Sequence, residues 1–246
     1  GRPRDAWIVD FGEISEEEAS LYETPFEYVR MTVKPRRDVS RDKRMRTKWW
    51  IHGRSRPALR QAIAGLKRCI VTPEVAKHRL FMWMPTDVVP DHKLHVFARE
   101  DDYFLGVLHS RVHETWSLAQ ASWLGVGNDP SYSSSRTFET FPLPWPPNEE
   151  SVEDPRVERI AKAAHRLDEL RRNWLNPEGA TEAELKKRTL TNLYNERPTW
   201  LDNVHRKLDE AVLDAYGWSS DLSDEDLLGC LLALNAERAG REEAGQ

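Results

Sequence analysis

With 246 residues, 31% of them charged and ten of them tryptophan, the chain has material for one large domain or two ordinary ones. A net charge of −5 gives no overall pull toward a polyanion, and no apolar run approaches the roughly 20 residues that span a membrane. No secretion signal precedes the first core-like residues, so a cytoplasmic setting is expected. Gly1 in place of methionine, with Trp7 to Phe11 already apolar, reads as a segment cut from a longer polypeptide.

Ala6 to Phe11 reads as a short strand ending at Gly12. Ser15 with Glu18 is a capping box for a helix over Glu16 to Tyr22. Thr24 repeats the device, with Pro25 at the first helical position and Glu27 reaching back, for a second helix to about Val33 that Pro35 stops. Pro57 to Lys67 reads as a helix. Arg68 to Thr72, Leu80 to Met84 and Leu94 to Ala98 read as strands, with a turn from Pro85 to Asp91. Leu105, Leu108, Val112, Thr115, Trp116 and Ala119 then recur at helical spacing and predict one amphipathic helix capped by Asp101 or Asp102. Small polar residues follow from Gly125 to Arg136, a loop suited to reading a ligand between that helix and the stiff exit from Phe138 to Pro147.

After Pro147 the pattern turns wholly helical, with Asn148 to Ser151 and Pro155 as a hinge. Val157, Ile160, Ala161, Ala164, Leu167 and Trp174 form one stripe. Thr181 with Glu184 caps a second helix containing Leu185 and Leu193. Leu201, Val204, Leu208, Val212 and Tyr216 mark a third, closed by Gly217, and Leu227, Leu228, Leu231 and Leu232 a fourth. Residues from Ala239 onward should fray. The expected fold class is α+β: a mixed strand and helix domain over 1–147, followed by an all-helical bundle over 148–246.

Charge is distributed unevenly. Arg30 to Leu80 holds sixteen Lys or Arg against Asp38, Asp42 and Glu74, a balance of +13, whereas 148–246 holds 14 basic and 22 acidic residues, a balance of −8. A basic segment inside an acidic protein predicts one polyanion-facing surface. Arg36, Arg37, Arg41, Lys43, Arg44, Arg46, Lys48 and Arg54 are the candidate phosphate contacts, with Trp49 and Trp50 either stacking on bases or anchoring a solvated loop.

Other motifs carry less. Val9-Asp-Phe-Gly12 matches a kinase metal-binding triplet without the rest of that signature, so Asp10 is expected as a turn or capping residue. His109 and His113 have metal-ligand spacing, but Ser110 stands where a metalloprotease needs Glu and no third ligand is spaced to join them; structural histidines are expected. Cys69 and Cys230, the two cysteines, are expected as buried thiols. Asn128-Asp-Pro-Ser-Tyr132 lacks the paired prolines of the Asn-Pro-Pro-Tyr motif of amino-directed DNA methyltransferases, and no glycine-rich strand-to-helix turn is present for the methionine end of their cofactor. No catalytic or metal-binding constellation is assembled.

Several segments together nonetheless resemble one family. They are Asp5 to Gly12, Tyr22-Glu-Thr-Pro-Phe-Glu27, Trp49-Trp50, Thr72-Pro-Glu-Val-Ala-Lys-His78, Phe104 to Trp116, Tyr132-Ser133 and Phe138-Glu-Thr-Phe-Pro-Leu-Pro144. They are similar to the target recognition domain of MmeI-like restriction-modification proteins and related DNA adenine methyltransferases, including phage-defence ones, and the helical half resembles the segment that follows that domain. The resemblance implies sequence-specific recognition of double-stranded DNA, with methyl transfer from S-adenosylmethionine to a flipped adenine in an upstream methyltransferase domain of the same polypeptide. It implies no cofactor and no catalytic residue in this segment, and points to Tyr132, Ser133, Ser135, Arg136 and Thr137 as base-reading residues. The competing expectations are a metal-dependent nuclease or hydrolase with an unrecognised site, and a protein-interaction domain.

Overall fold

A computed structural model describes residues 6–124 and 129–243. They form two compact units, one ending at Ala64 and one beginning at Gly65. None of their helices is long and apolar enough to cross a membrane.

The first unit is helical. Ala6 to Asp10 is irregular rather than a strand, and Trp7 is almost wholly exposed. Helix α1 (Glu16–Ser20) opens on the expected capping box, Ser15 accepting from the Glu18 N–H and Glu18 accepting from the Ser15 N–H. Helix α2 (Glu23–Thr32) starts one residue before its expected cap, Thr24. Tyr22 precedes it without a side-chain cap, and Pro25 falls in the first turn, where a missing N–H costs nothing. Pro35 likewise does not end the helical path but sits at the second position of α3 (Lys34–Asp38). Asp42 caps α4 (Lys43–Thr47), accepting from the Arg44 and Met45 N–H groups, and α5 (Pro57–Ile63) begins with proline. Phe11, Ala19, Phe26, Val29, Trp49 and Ile51 make this unit's core.

In the second unit, β1 (Arg68–Pro73) is the middle strand of an antiparallel sheet between β2 (Met82–Pro85) and β3 (Leu94–Phe97). The long amphipathic stretch is two helices, α6 (Asp102–His109) and α7 (Arg111–Ala119), broken at Ser110. Asp101 caps α6 through the Phe104 N–H; Ser110, in extended conformation, donates to the Val107 carbonyl and caps α7. Short strands β4 (Trp123–Leu124) and β5 (Asp129–Pro130) pair antiparallel, and a π-helical turn spans Ser134–Phe138. Helices α8 (Pro155–Leu175), α9 (Glu182–Lys187), α10 (Leu190–Glu196), α11 (Thr199–Tyr216) and α12 (Asp224–Glu243) follow. The expected Thr181–Glu184 capping box and the left-handed Gly217 terminus are both present. Helix α12 continues through Ala239 to Glu243; residues 244–246 lie outside the described residues, as do 1–5 and 125–128 of the expected reading loop.

The boundary expected at 147/148 runs through a shared core. Ile70, Phe81, Phe97 and Phe104 belong to the same buried cluster as Ile160, Leu167, Leu201 and Leu227. Helix α6 is the reason, since it packs on α8 along most of its length. Gly106 makes that approach possible: a Cβ there would lie 2.7 Å from Ile160 Cγ2, 3.1 Å from Ala164 Cβ and 3.2 Å from Leu208 Cδ1. An amphipathic strand-and-helix layer and a helical layer thus bury each other's apolar faces.

Candidate nucleic-acid interface

The π-helical turn is built between two anchors. At its start Tyr132 is buried, donating its hydroxyl to His113 Nε2 at 3.1 Å and its N–H to the Glu74 carbonyl at 2.7 Å. At its end Thr137 is buried; its carbonyl accepts from Trp116 Nε1 at 3.1 Å and its hydroxyl from the Ser133 N–H at 3.4 Å. Phe138 packs edge-on to Phe97 at 4.8 Å between centroids. With both ends held, the wide turn pushes Ser134, Ser135 and Arg136 outward, all exposed. Such one-turn π-bulges recur at functional sites. Ser134 Oγ is 3.0 Å from His95 Nδ1, and Arg136 donates to Ser122 Oγ at 3.2 Å. Burial therefore removes Tyr132 and Thr137 from the expected base-reading set: one is a post and the other a clamp. Ser133 is half-buried, its hydroxyl capping the turn at the Arg136 N–H.

Beside the turn stands the β4–β5 hairpin, joined at its base by Ser131 N–H to Ser122 O at 2.7 Å and Ser122 N–H to Ser131 Oγ at 3.2 Å. The buried Arg79 guanidinium donates to the Pro130 carbonyl at 2.9 Å and lies 5.1 Å from the Tyr132 ring centroid. Burial brings the Arg79 pKa down to about 10, still charged at neutral pH. The hairpin was not visible in the sequence, because strands of two residues carry no periodicity.

The cationic segment lies in the first unit and divides into two groups. Arg36, Arg41, Lys43 and Arg54 are exposed and, among the described residues, make no ion pair. Arg44 pairs with Glu13 at 3.1 Å, Lys48 with Glu13 at 3.7 Å, and Arg46 donates to the Ser40 carbonyl. Those half-exposed pairs are weak and can exchange for phosphate. Arg37 is different: its guanidinium is half-buried and donates to the Trp49 and Ile51 carbonyls, fixing the chain after α4, so the structure takes it out of the free cations. Trp49 is a core anchor with Nε1 on Glu16 at 3.1 Å, and Trp50 Nε1 donates to the Ile14 carbonyl at 2.9 Å. Both indoles are thus tied to the first unit by their ring N–H groups.

Asp10 accepts from the Gly12 N–H and from Arg60 at 2.8 Å. Burial works to raise its carboxyl pKa, but Arg60 and the Gly12 amide outweigh it and hold it below the ordinary value. His109 and His113 are buried with both ring nitrogens engaged. His109 faces the Phe81 N–H and the Tyr194 hydroxyl, and His113 faces the Leu108 carbonyl and Tyr132. Among the described residues no group of three or more His, Cys, Asp or Glu is placed to hold a metal ion. Cys69 is buried and Cys230 half-buried, both as free thiols.

In sequence the chain is similar to a DNA methyltransferase, and in fold to a restriction-modification enzyme. It is 32% identical over 179 residues to DNA methyltransferase A of Bacillus subtilis (strain 168), a match covering 70% of this chain and 18% of that protein. Its fold is similar to that of the type IIL restriction-modification enzyme MmeI solved in complex with DNA, with a TM-score of 0.64 and 18% identity, over 92% of this chain and 28% of that one. The chain thus spans well under a third of either relative. No family model matches it.

Proposed function

We propose that this chain is the part of a DNA methyltransferase, or of a fused restriction-modification enzyme, that recognises the duplex target, and that it has no catalytic activity alone. The observation that carries this reading is the π-helical turn, which locks Tyr132 and Thr137 inside and presents Ser135 and Arg136 to solvent. An arginine suits the guanine edge, and a serine hydroxyl meets either kind of base. Arg36, Arg41, Lys43 and Arg54 supply phosphate contacts, with Arg44, Arg46 and Lys48 joining them by exchanging partners. The DNA-bound state of the MmeI structure supports duplex DNA as the partner.

On this reading the methyl donor is S-adenosylmethionine, the acceptor is the exocyclic amine of adenine, and an upstream methyltransferase domain of the same cytoplasmic polypeptide carries the reaction, in one setting as phage defence. The residues described here do not fit that cofactor. Their sheet is antiparallel, in the order β2-β1-β3, without the parallel strand, glycine turn and helix that cradle such a group. No step is assigned to them.

Fluorescence anisotropy with a mixed-sequence duplex tests the reading. Binding should weaken steeply with salt, as counterion release requires. Affinity that is absent, or unchanged across a salt series, removes it.

A further inference from the structure

The β4–β5 hairpin presents Trp123, 53% exposed, and Leu124, 48% exposed, on adjacent positions of one strand. Adjacent strand residues face opposite sides, so both faces of the hairpin carry an exposed apolar group. The hairpin is held firmly for a surface element. Trp123 pairs with Pro130 and Leu124 with Asp129 across the ladder, Val75 bridges to Ser131, and Arg79 grips the Pro130 carbonyl. It is also continuous with the proposed reading turn, because Arg136 donates to Ser122, the residue just before Trp123.

We propose that Trp123 and Leu124 form an apolar wedge that enters duplex DNA beside the bases met by Ser135 and Arg136, with Trp123 stacking on an unstacked base. The proposal rests on the duplex-recognition reading and deepens it. The occupant is duplex DNA because Ser122, the residue next to Trp123, holds the exposed Arg136 of the proposed reading turn by a hydrogen bond, and because aromatic faces and branched apolar side chains are the groups that fill an opened base step. Asp129, opposite Leu124, is suited to accept from a cytosine amine exposed by such opening.

A wedge must open the stack before it can enter, so DNA with a ready-made gap should bind better. The test compares the 246-residue chain on an intact mixed-sequence duplex about three helical turns long and on the same duplex with one central abasic site. The unaltered chain is expected to prefer the abasic duplex by roughly tenfold, the scale of one base–aromatic stack. Trp123→Ala/Leu124→Ala should lose that preference while keeping its melting temperature and the salt slope of its duplex binding, which the phosphate contacts set, and Trp123→Phe should retain most of the preference. No preference in the unaltered chain, or an equal preference in the double variant, overturns the wedge and assigns the apolar pair to a protein surface. Salt-independent or absent binding to the intact duplex overturns the recognition reading itself, and the wedge with it.

Discussion

The Tyr132 hydroxyl lies 3.1 Å from His113 Nε2, and this buried bond ties the chain just before the π-helical turn to helix α7. His113 Nδ1 donates to the Leu108 carbonyl at 2.8 Å, so its Nε2 must accept and Tyr132 must donate. Tyr132→Phe leaves that acceptor buried and unpaired, and should destabilise the chain by about 1–3 kcal/mol. Because the ring still fills its site, affinity for intact duplex should hold within about twofold, whereas a direct base contact would lose more. Urea denaturation and anisotropy on the same variant separate the two.

At Gly106 helix α6 lies close against Ile160 and Ala164 of α8 and Leu208 of α11. Gly106→Ala adds a methyl with no room for it, and the cost of overpacking should exceed the helix-propensity gain, by about 1–3 kcal/mol net. Thermal unfolding followed by near-UV circular dichroism reads the change. A stabilised variant would mean that the helices give way more easily than their spacing indicates.

Three buried histidines make the second unit acid-sensitive. Burial pushes His113 and His205 down to about 3, and burial with the Arg171 guanidinium holds His109 well below the ordinary value. The unfolded chain takes up these protons near pH 6.5 and the folded chain does not. Stability is therefore complete above that pH and falls as pH drops toward 3, at about 1.4 kcal/mol per pH unit for each net proton. Asp209, raised to about 7 by burial, acts in the opposite sense between that value and the ordinary carboxylate range and offsets one histidine. Urea midpoints should be clearly lower at pH 5 than at pH 7.5; equal midpoints would show that the histidines are not neutral and shielded.

Arginines of the cationic segment should behave in two ways. Arg41→Ala and Lys43→Ala, exposed and unpaired among the described residues, should each lower the salt slope of duplex binding by about one and leave stability unchanged. Arg37→Ala should destabilise the first unit, because it strips donors from the Trp49 and Ile51 carbonyls. Salt-dependent binding and denaturation on the three variants check the division.

What could be read from the sequence was local. The Ser15–Glu18 and Thr181–Glu184 boxes, strand β1 and the Gly217 terminus depend on residues within one turn of each other, and all were legible. The break at Ser110 was not, because the apolar stripe from Leu105 to Ala119 runs straight through it and His113 is no capping-box partner. Arg37 and Arg41 look alike in the chain, and only the path after α4 makes one a brace. The exposed Ser135 and Arg136 lay within the expected segment, whereas the burial of Tyr132 and Thr137 depends on His113 and Trp116, about twenty positions away. The boundary was misplaced for the same reason: a change from mixed to helical composition at Pro147 says nothing about which faces share a core.

Selection from a randomised duplex pool, run with the unaltered chain and with Arg136→Ala, bears most directly on the recognition claim. One enriched sequence is predicted for the unaltered chain, and the variant should lose discrimination at one base pair, by about 1–3 kcal/mol, with the other positions kept. An unaltered chain that enriches no sequence, or a variant that enriches the same sequence with undiminished preference at every position, would contradict it.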